Sequence, residues 1–282
     1  MEWNFDETFQ CYKSIFLCFL LSVTYVFSLH IWKSPHSRDH PSTIKKRFTS
    51  AFVMLFISPC FLYMGLRKEV LEKQTFPEIL GLRSQGLCQA IFMPLFLTMI
   101  LFLGPISMEL YSGLSKLYTE EMYWFSNLKN LIWLRNHIVA PFTEEFTYRS
   151  CMLPMLLQCF TPYSAVFTSP LFFGVAHFHH MLERINHMSF NLSLKISCFQ
   201  FAYTTLFGMY SAYIFYRTRH FISIFIVHSF CNHMGFPDFT EVVTYKGMKK
   251  ITIVSLFIIG LCAWCFLLEP LTEPTWYHNE WL

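Results

Sequence analysis

"IFLCFLLSVTYVFSLHIW", residues 15–32, runs eighteen positions without one Asp, Glu, Lys or Arg. A helix needs about 20 apolar residues to cross the hydrocarbon of a bilayer. Three further stretches read the same way: 48–66, 87–107 and 251–268. The composition agrees with the pattern. The chain of 282 residues is 54% hydrophobic and only 14% charged, against about 25% charged in a soluble domain.

Between residues 128 and 233 the apolar runs are interrupted. They read as 128–140, 144–160, 163–177, 197–216 and 221–233, each carrying His, Glu, Arg or Asn. The first two are either separate spans or one long or broken helix around Pro141. The expectation is an all-α, polytopic membrane protein with about eight transmembrane helices around an intramembrane cavity. No internal repeat, low-complexity tract or long linker divides it, so 1–282 reads as one membrane domain.

The first run is expected to be retained as a helix. A secretory signal has a basic start and a short apolar core, whereas here Glu2, Asp6 and Glu7 precede Lys13. The next loop holds Lys33, Arg38, Lys45, Lys46 and Arg47. The positive-inside rule places it in the cytosol and the N-terminus opposite. The following loop, 67–83, carries four basic residues of its own and weakens that signal. A net charge of +3 is too small to suggest nucleic-acid binding.

The ten cysteines show no secreted-type framework. Eight of them (Cys18, Cys60, Cys88, Cys151, Cys159, Cys231, Cys262 and Cys265) lie in apolar stretches and read as small packing residues. Cys262 and Cys265 have CxxC spacing, but no histidine stands near them.

Ionisable side chains at membrane depth are rare and face a cavity or a partner. Three clusters qualify. In "FTEEFTYRS", residues 142–150, Glu145 and Arg149 are four apart and can pair on a helix face. Glu144 lies about 100° round the helix from Glu145 and points elsewhere. An ordinary reading exists too, in which both glutamates favour a helix N-terminus after Pro141. The same chain has a second Glu pair, Glu120–Glu121, in a polar connector without the following arginine; it reads as a solvated loop.

The second cluster is "LFFGVAHFHH", residues 171–180, where His177 follows Phe173 by one turn. The spacing of His177, His179 and His180 does not bring three imidazoles to one helix face. His177 is therefore the functional candidate, with the other two at the membrane surface. The third is "IVHSFCNHMGFPD", residues 226–238. His228 and Asn232 share a face, and His233 points away.

A carboxylate, two imidazoles and a carboxamide on three apolar helices make a hydrolytic set: a base, its helper and oxyanion donors. The chain has no HExxH for an ordinary zincin and no GxSxG nucleophile elbow.

The order of these motifs, EExxxR, FxxxH and HxxxN, resembles the type II CAAX prenyl endopeptidase, or Ras-converting enzyme, family of membrane proteases. The matching residues are Glu144, Glu145 and Arg149, then Phe173 and His177, then His228 and Asn232, all within 135–235. "RNHIVAPFTEEFTYRSCMLP" looks like the eukaryotic branch. Tyr148 is a small departure, standing where Phe is expected.

The resemblance implies removal of the last three residues from farnesylated or geranylgeranylated CAAX proteins such as small GTPases. It implies a multi-pass endoplasmic reticulum protein with its site open to the cytosol. By the same resemblance Glu144 is the general base and His177 its partner on water. His228 and Asn232 form the oxyanion site, and Glu145, Arg149 and Phe173 support them. No cofactor is expected. A prenyl chain partitions into lipid, so membrane lipid is itself a partner.

Two other readings compete. Glu144, His177 and His228 would make a normal three-ligand shell for a catalytic zinc ion. A transporter also places Glu, His and Arg inside the membrane. Against transport, the spans show no inverted repeat and the polar residues crowd the second half of the chain. Asn191–Leu–Ser193 is a glycosylation sequon that matters only if its loop is lumenal.

Overall fold

The structure is a computed structural model that describes residues 5–32, 34–178, 181 and 184–279. Lys33 of the basic loop, His179 and His180 lie outside the described residues. The described residues form helices and turns with no strand.

Nine helical units matter for the site. They are α1 (Phe5–His30), α2 (Pro41–Gly65), α3 (Leu87–Leu101), α4 (Leu103–Ser112), α5 (131–157), α6 (Pro162–Ala176), α7 (Phe190–Thr218), α8 (Phe221–Met234) and α9 (Gly247–Leu271). Three stretches are long and apolar enough to cross a bilayer: Thr8–His30, Pro41–Gly65 and Gly247–Leu271. The pair α3–α4 adds a fourth if its halves count as one span. By that criterion the described helices fall short of the eight expected. The remainder are short or carry polar residues that face inward.

Two expectations change. The run 87–107 is not one span: α3 and α4 meet at a 75° bend. Pro105 explains the break, because its ring clashes with the carbonyl four residues back, and that residue is Leu101, the last of α3. Conversely, 128–140 and 144–160 join into the single helical unit α5, which runs through Pro141. It starts at Asn130, whose side chain caps the N–H groups of Ile132 and Trp133.

α5 tolerates two prolines because it widens ahead of each. π-helical turns cover Arg135–Val139 and Phe146–Cys151, and Pro141 and Pro154 follow them. Residues 145–156 of α5 are all buried, so this helix is the centre of the molecule. Met152, Leu153, Met155 and Leu156 form the core with Leu21 of α1, Phe215 of α7, and Ile224 and Val227 of α8. α9 leaves Ile258, Ile259, Leu261 and Phe266 exposed, and α1 leaves Phe16, Phe19 and Phe27 exposed. Apolar outsides of this kind suit lipid, not water.

The helix ends sort into two faces. At one face, Asp39 pairs with Arg135, Asn136 with Asn232, and Tyr118 with His233. At the other, Cys11 and Cys159 form a disulfide, with Cα atoms 5.2 Å apart, that ties α1 to the segment just after α5. Cys159 is thus a covalent partner and not the packing residue expected. A separation of 148 residues left no local signal for the pairing. Cys262 and Cys265 are free and exposed on α9.

Candidate active site

The expected ion pair forms. Arg149 Nη1 donates to Glu145 Oε1 at 3.0 Å, and both side chains are wholly buried. Glu145 takes two more donors. Ser211 Oγ of α7 reaches its Oε2 at 2.6 Å, and His228 Nδ1 of α8 reaches its Oε1 at 2.7 Å. An unpaired charge at this depth would be strongly destabilising; here one carboxylate is matched by a guanidinium, a hydroxyl and an imidazole.

Room for Arg149 comes from a glycine. A Cβ on Gly208 of α7 would stand 2.8 Å from Arg149 Nη2 and 2.7 Å from Pro170 Cβ. The guanidinium lies over the ring of Phe173, 4.4 Å from its centroid, a favourable cation–π arrangement.

Glu144 does not point wholly away from Glu145, as helix geometry alone suggests. Its Oε2 lies 3.9 Å from His228 Nε2, so one imidazole stands between the two carboxylates. The difference between them is access. The Glu145 side chain is fully buried, whereas 20% of the Glu144 side chain is exposed.

Phe173 is the hub of the cluster. Its ring meets those of Tyr148 at 5.1 Å, His177 at 4.6 Å and His228 at 6.4 Å. His177 joins the group through that ring, and its Nδ1 lies 2.7 Å from the Phe173 carbonyl. A carbonyl only accepts, so Nδ1 carries the hydrogen and, in the neutral ring, Nε2 carries the lone pair. Tyr148, the departure from the expected Phe, keeps its ring contact. Its extra hydroxyl meets Ser22 Oγ of α1 at 3.3 Å.

Asn232 sits one turn beyond His228, at the exposed mouth. Its Nδ2 donates to the Asn136 carbonyl at 2.8 Å. That bond follows from the shape of α5. The π turn sends the Ala140 N–H back to Arg135 O. In that register the next carbonyl, Asn136 O, falls to position 141, where proline has no N–H to offer. Ser229 of α8 likewise donates to the His137 carbonyl at 2.6 Å. α8 therefore completes the hydrogen bonding that Pro141 interrupts. His233 turns to the Tyr118 hydroxyl, away from the pair, as expected.

Among the described residues, no group of three His, Cys, Asp or Glu side chains converges as one metal ion requires. The Glu120–Glu121 pair is exposed at the start of a short helix.

Sequence reasoning missed Ser211, Gly208 and the backbone carbonyl of Asn136. A signal for α7 existed. Thr204, Gly208 and Ala212 recur every four residues and are buried, the small-residue spacing that lets membrane helices approach closely.

The comparisons with known proteins give the family. Residues 126–234, which hold every residue of the cluster except Ser22, match the family described as Type II CAAX prenyl endopeptidase Rce1-like. A curated human protein named CAAX prenyl protease 2 is 41% identical over 279 residues, 95% of this chain and 84% of its own length. The Saccharomyces cerevisiae protein of that name is 32% identical over 79% of this chain and 80% of its own length. The Arabidopsis thaliana one is 29% identical over 97% and 94%. No solved structure matches the chain. From the motifs, the arrangement around Glu145 and these relatives together, the chain belongs to the type II CAAX prenyl endopeptidase family.

Proposed function

We propose that this endopeptidase removes the last three residues of farnesylated or geranylgeranylated CAAX proteins, such as small GTPases, with Glu144 as its general base. The observation that carries the assignment is the unequal state of the two glutamates. Glu145 is buried and bonded to Arg149, Ser211 and His228. Glu144 keeps solvent access beside His228 Nε2.

Glu144, with His177, takes a proton from water as its oxygen attacks the scissile carbonyl carbon. The C=O electrons move to the oxygen, which becomes an oxyanion near His228 and Asn232. When the intermediate collapses, the peptide C–N bond breaks and the leaving amine takes the proton back. Donors fixed in a water-poor site stabilise such an oxyanion far more than donors in water. Because His228 Nδ1 is committed to Glu145, Nε2 donates only in the doubly protonated ring.

The hydrolysis proposed uses no metal ion. The zinc reading requires Glu144, His177 and His228 on one ion, whereas among the described residues no three such side chains converge. Cleavage of a farnesylated CAAX peptide by the purified chain tests the whole assignment. Glu144→Gln abolishing turnover, with a chelator leaving the unaltered protein active, is the expected result. Inhibition by chelator that added zinc reverses would restore the metal reading.

We place the protein in the endoplasmic reticulum membrane with Asn232 and Glu144 toward the cytosol. Arg38, Lys46 and Arg47 lie at the same face as Arg135 and Asn136, through the Asp39–Arg135 pair. Lys249, over the ring of Tyr111, adds to that face. The disulfide lies at the opposite face, where an oxidising lumen would preserve it.

A further inference from the structure

Beside the catalytic cluster, α1 and α6 border a groove of about 920 Å³. Phe19, Val23 and Phe27 form one wall and Leu171 and Val175 the other; all five are exposed. Among the described residues the lining holds no Asp, Glu, Lys or Arg. One end is polar, where Asn186 meets His30, the last residue of α1. That end also touches the cluster. Ala176, the last residue of α6, lines the groove, and the residue after it is His177. Phe172 lines it as well and precedes Phe173, the hub of the cluster. From α1, Ser22 forms part of the floor. Its Oγ meets the Tyr148 hydroxyl at 3.3 Å, and the Tyr148 ring packs on Phe173. The floor of the groove is therefore the back of the catalytic cluster.

We propose that this groove holds the prenyl chain of the substrate, with the thioether at the Ala176 end and the chain running toward Phe19 and Thr168. The proposal rests on the hydrolysis assigned above. A prenylated cysteine carries its sulfur and its scissile carbonyl on the same Cα, so the chain must leave the site beside the reacting carbon. The groove begins there, next to His177, and that continuity selects this occupant. Its volume falls within the roughly 300–1,000 Å³ usual for ligand sites. From Ala176 to Thr168 it follows α6 for about 12 Å. Its exposed walls admit a chain sideways from the bilayer. Lipid is as apolar as the groove, so burial contributes little; what the groove supplies is position. A chain laid between two helices fixes the direction from which the peptide arrives, and a misplacement of about 1 Å can cost about 10²-fold in rate.

The test uses the intact chain in neutral detergent and a CAAX peptide whose prenyl chain ends in a benzophenone. After irradiation, mass spectrometry should find the label within 19–30 of α1 and 168–176 of α6. Unlabelled farnesylated peptide should abolish that labelling, and phosphatidylcholine should not. Thr168→Trp fills the far end of the groove. It should lower kcat/KM for a geranylgeranylated peptide about tenfold more than for a farnesylated one, a usual range for one pocket's discrimination. Leu171→Trp blocks the middle and should lower both, by up to about 10²-fold. Melting temperature checks each fold, and a defect in one variant leaves the other, with the labelling, to decide. Label confined to α7 or α8 overturns the proposal. So does competition by phosphatidylcholine as strong as by the peptide, which would make the groove a site for bilayer lipid, and so do folded variants with wild-type kinetics. A chain that cleaves both peptides but labels elsewhere loses the groove and keeps the hydrolysis. One that labels in the groove and cleaves neither keeps the groove and loses the hydrolysis.

Discussion

Asn232 donates to the carbonyl of Asn136, a backbone group that the Pro141 gap in α5 leaves without its helical donor. One amide hydrogen fixes the side chain, and the other is left to aim. As the proposed oxyanion donor, Asn232 replaced by Ala should lower turnover by about 10²–10³ with the fold retained, the usual cost of such a donor. Pro141→Ala gives a sharper test. It supplies the missing N–H, which would compete for the Asn136 carbonyl and release Asn232. Stability should hold or rise, because proline inside a helix is unfavourable. Yet kcat should fall, by up to about 10²-fold for a misplaced group, with KM little changed. Wild-type kcat in a stable Pro141→Ala protein would remove the positioning role.

The two adjacent glutamates should fail differently. Glu144→Gln removes the proposed base, worth about 10²–10⁴ in rate, and should leave a folded, substrate-binding protein. Glu145→Gln leaves buried Arg149 and His228 without their carboxylate, and breaking a buried pair on one side costs roughly 3–5 kcal/mol. That variant should lose melting temperature as well as activity, and Arg149→Ala should resemble it. Melting in detergent and cleavage of a farnesylated peptide, measured on all three, separate the roles. A stable, inactive Glu145→Gln beside an unstable Glu144→Gln would reverse them.

Gly208→Ala should destabilise, although alanine normally gains about 1 kcal/mol over glycine in a helix. The new methyl would press on Arg149 Nη2 and Pro170. Overpacking of this kind costs typically 1–3 kcal/mol, and displacing the guanidinium should lower activity too. Thermal unfolding of the variant gives the sign directly; a raised melting temperature would mean that the contact relaxes freely.

Orientation predicts the fate of the sequon. Asn191 begins α7 just past His187 and Met188, which line a pocket together with Arg38 and Arg47. It therefore shares the proposed cytosolic face and should carry no glycan. A protease-sensitive tag near His40 should be cleaved in sealed microsomes. A glycosidase-sensitive shift at Asn191, or a protected tag, would invert the topology.

What the sequence made legible was what is local. Glu145–Arg149 follows from a spacing of four, and the shared face of His228 and Asn232 from the same rule. The approach of His228 to Glu145 spans 83 residues and depends on how α8 crosses α5, which no periodicity encodes. The π turns of α5 were equally hidden, since each adds only one residue to a turn. Pro141 marked the place and left open whether the chain broke or widened there. At 87–107 the outcome was the reverse, because hydropathy ran on smoothly past the point where Pro105 bends the chain.

The Cys11–Cys159 bond closes a loop that holds α1 to α4 and the whole of α5. Its sulfurs sit at one end of the molecule, while Asn232 and Glu144 work toward the other. The helix that carries Glu144 and Glu145 is thus anchored at its foot and open at its head. Oxidising and reducing conditions at the anchored end should change how long the protein survives unfolding, and leave the chemistry of a single turnover alone. In the orientation proposed, lifetime and catalysis are set from opposite sides of the membrane.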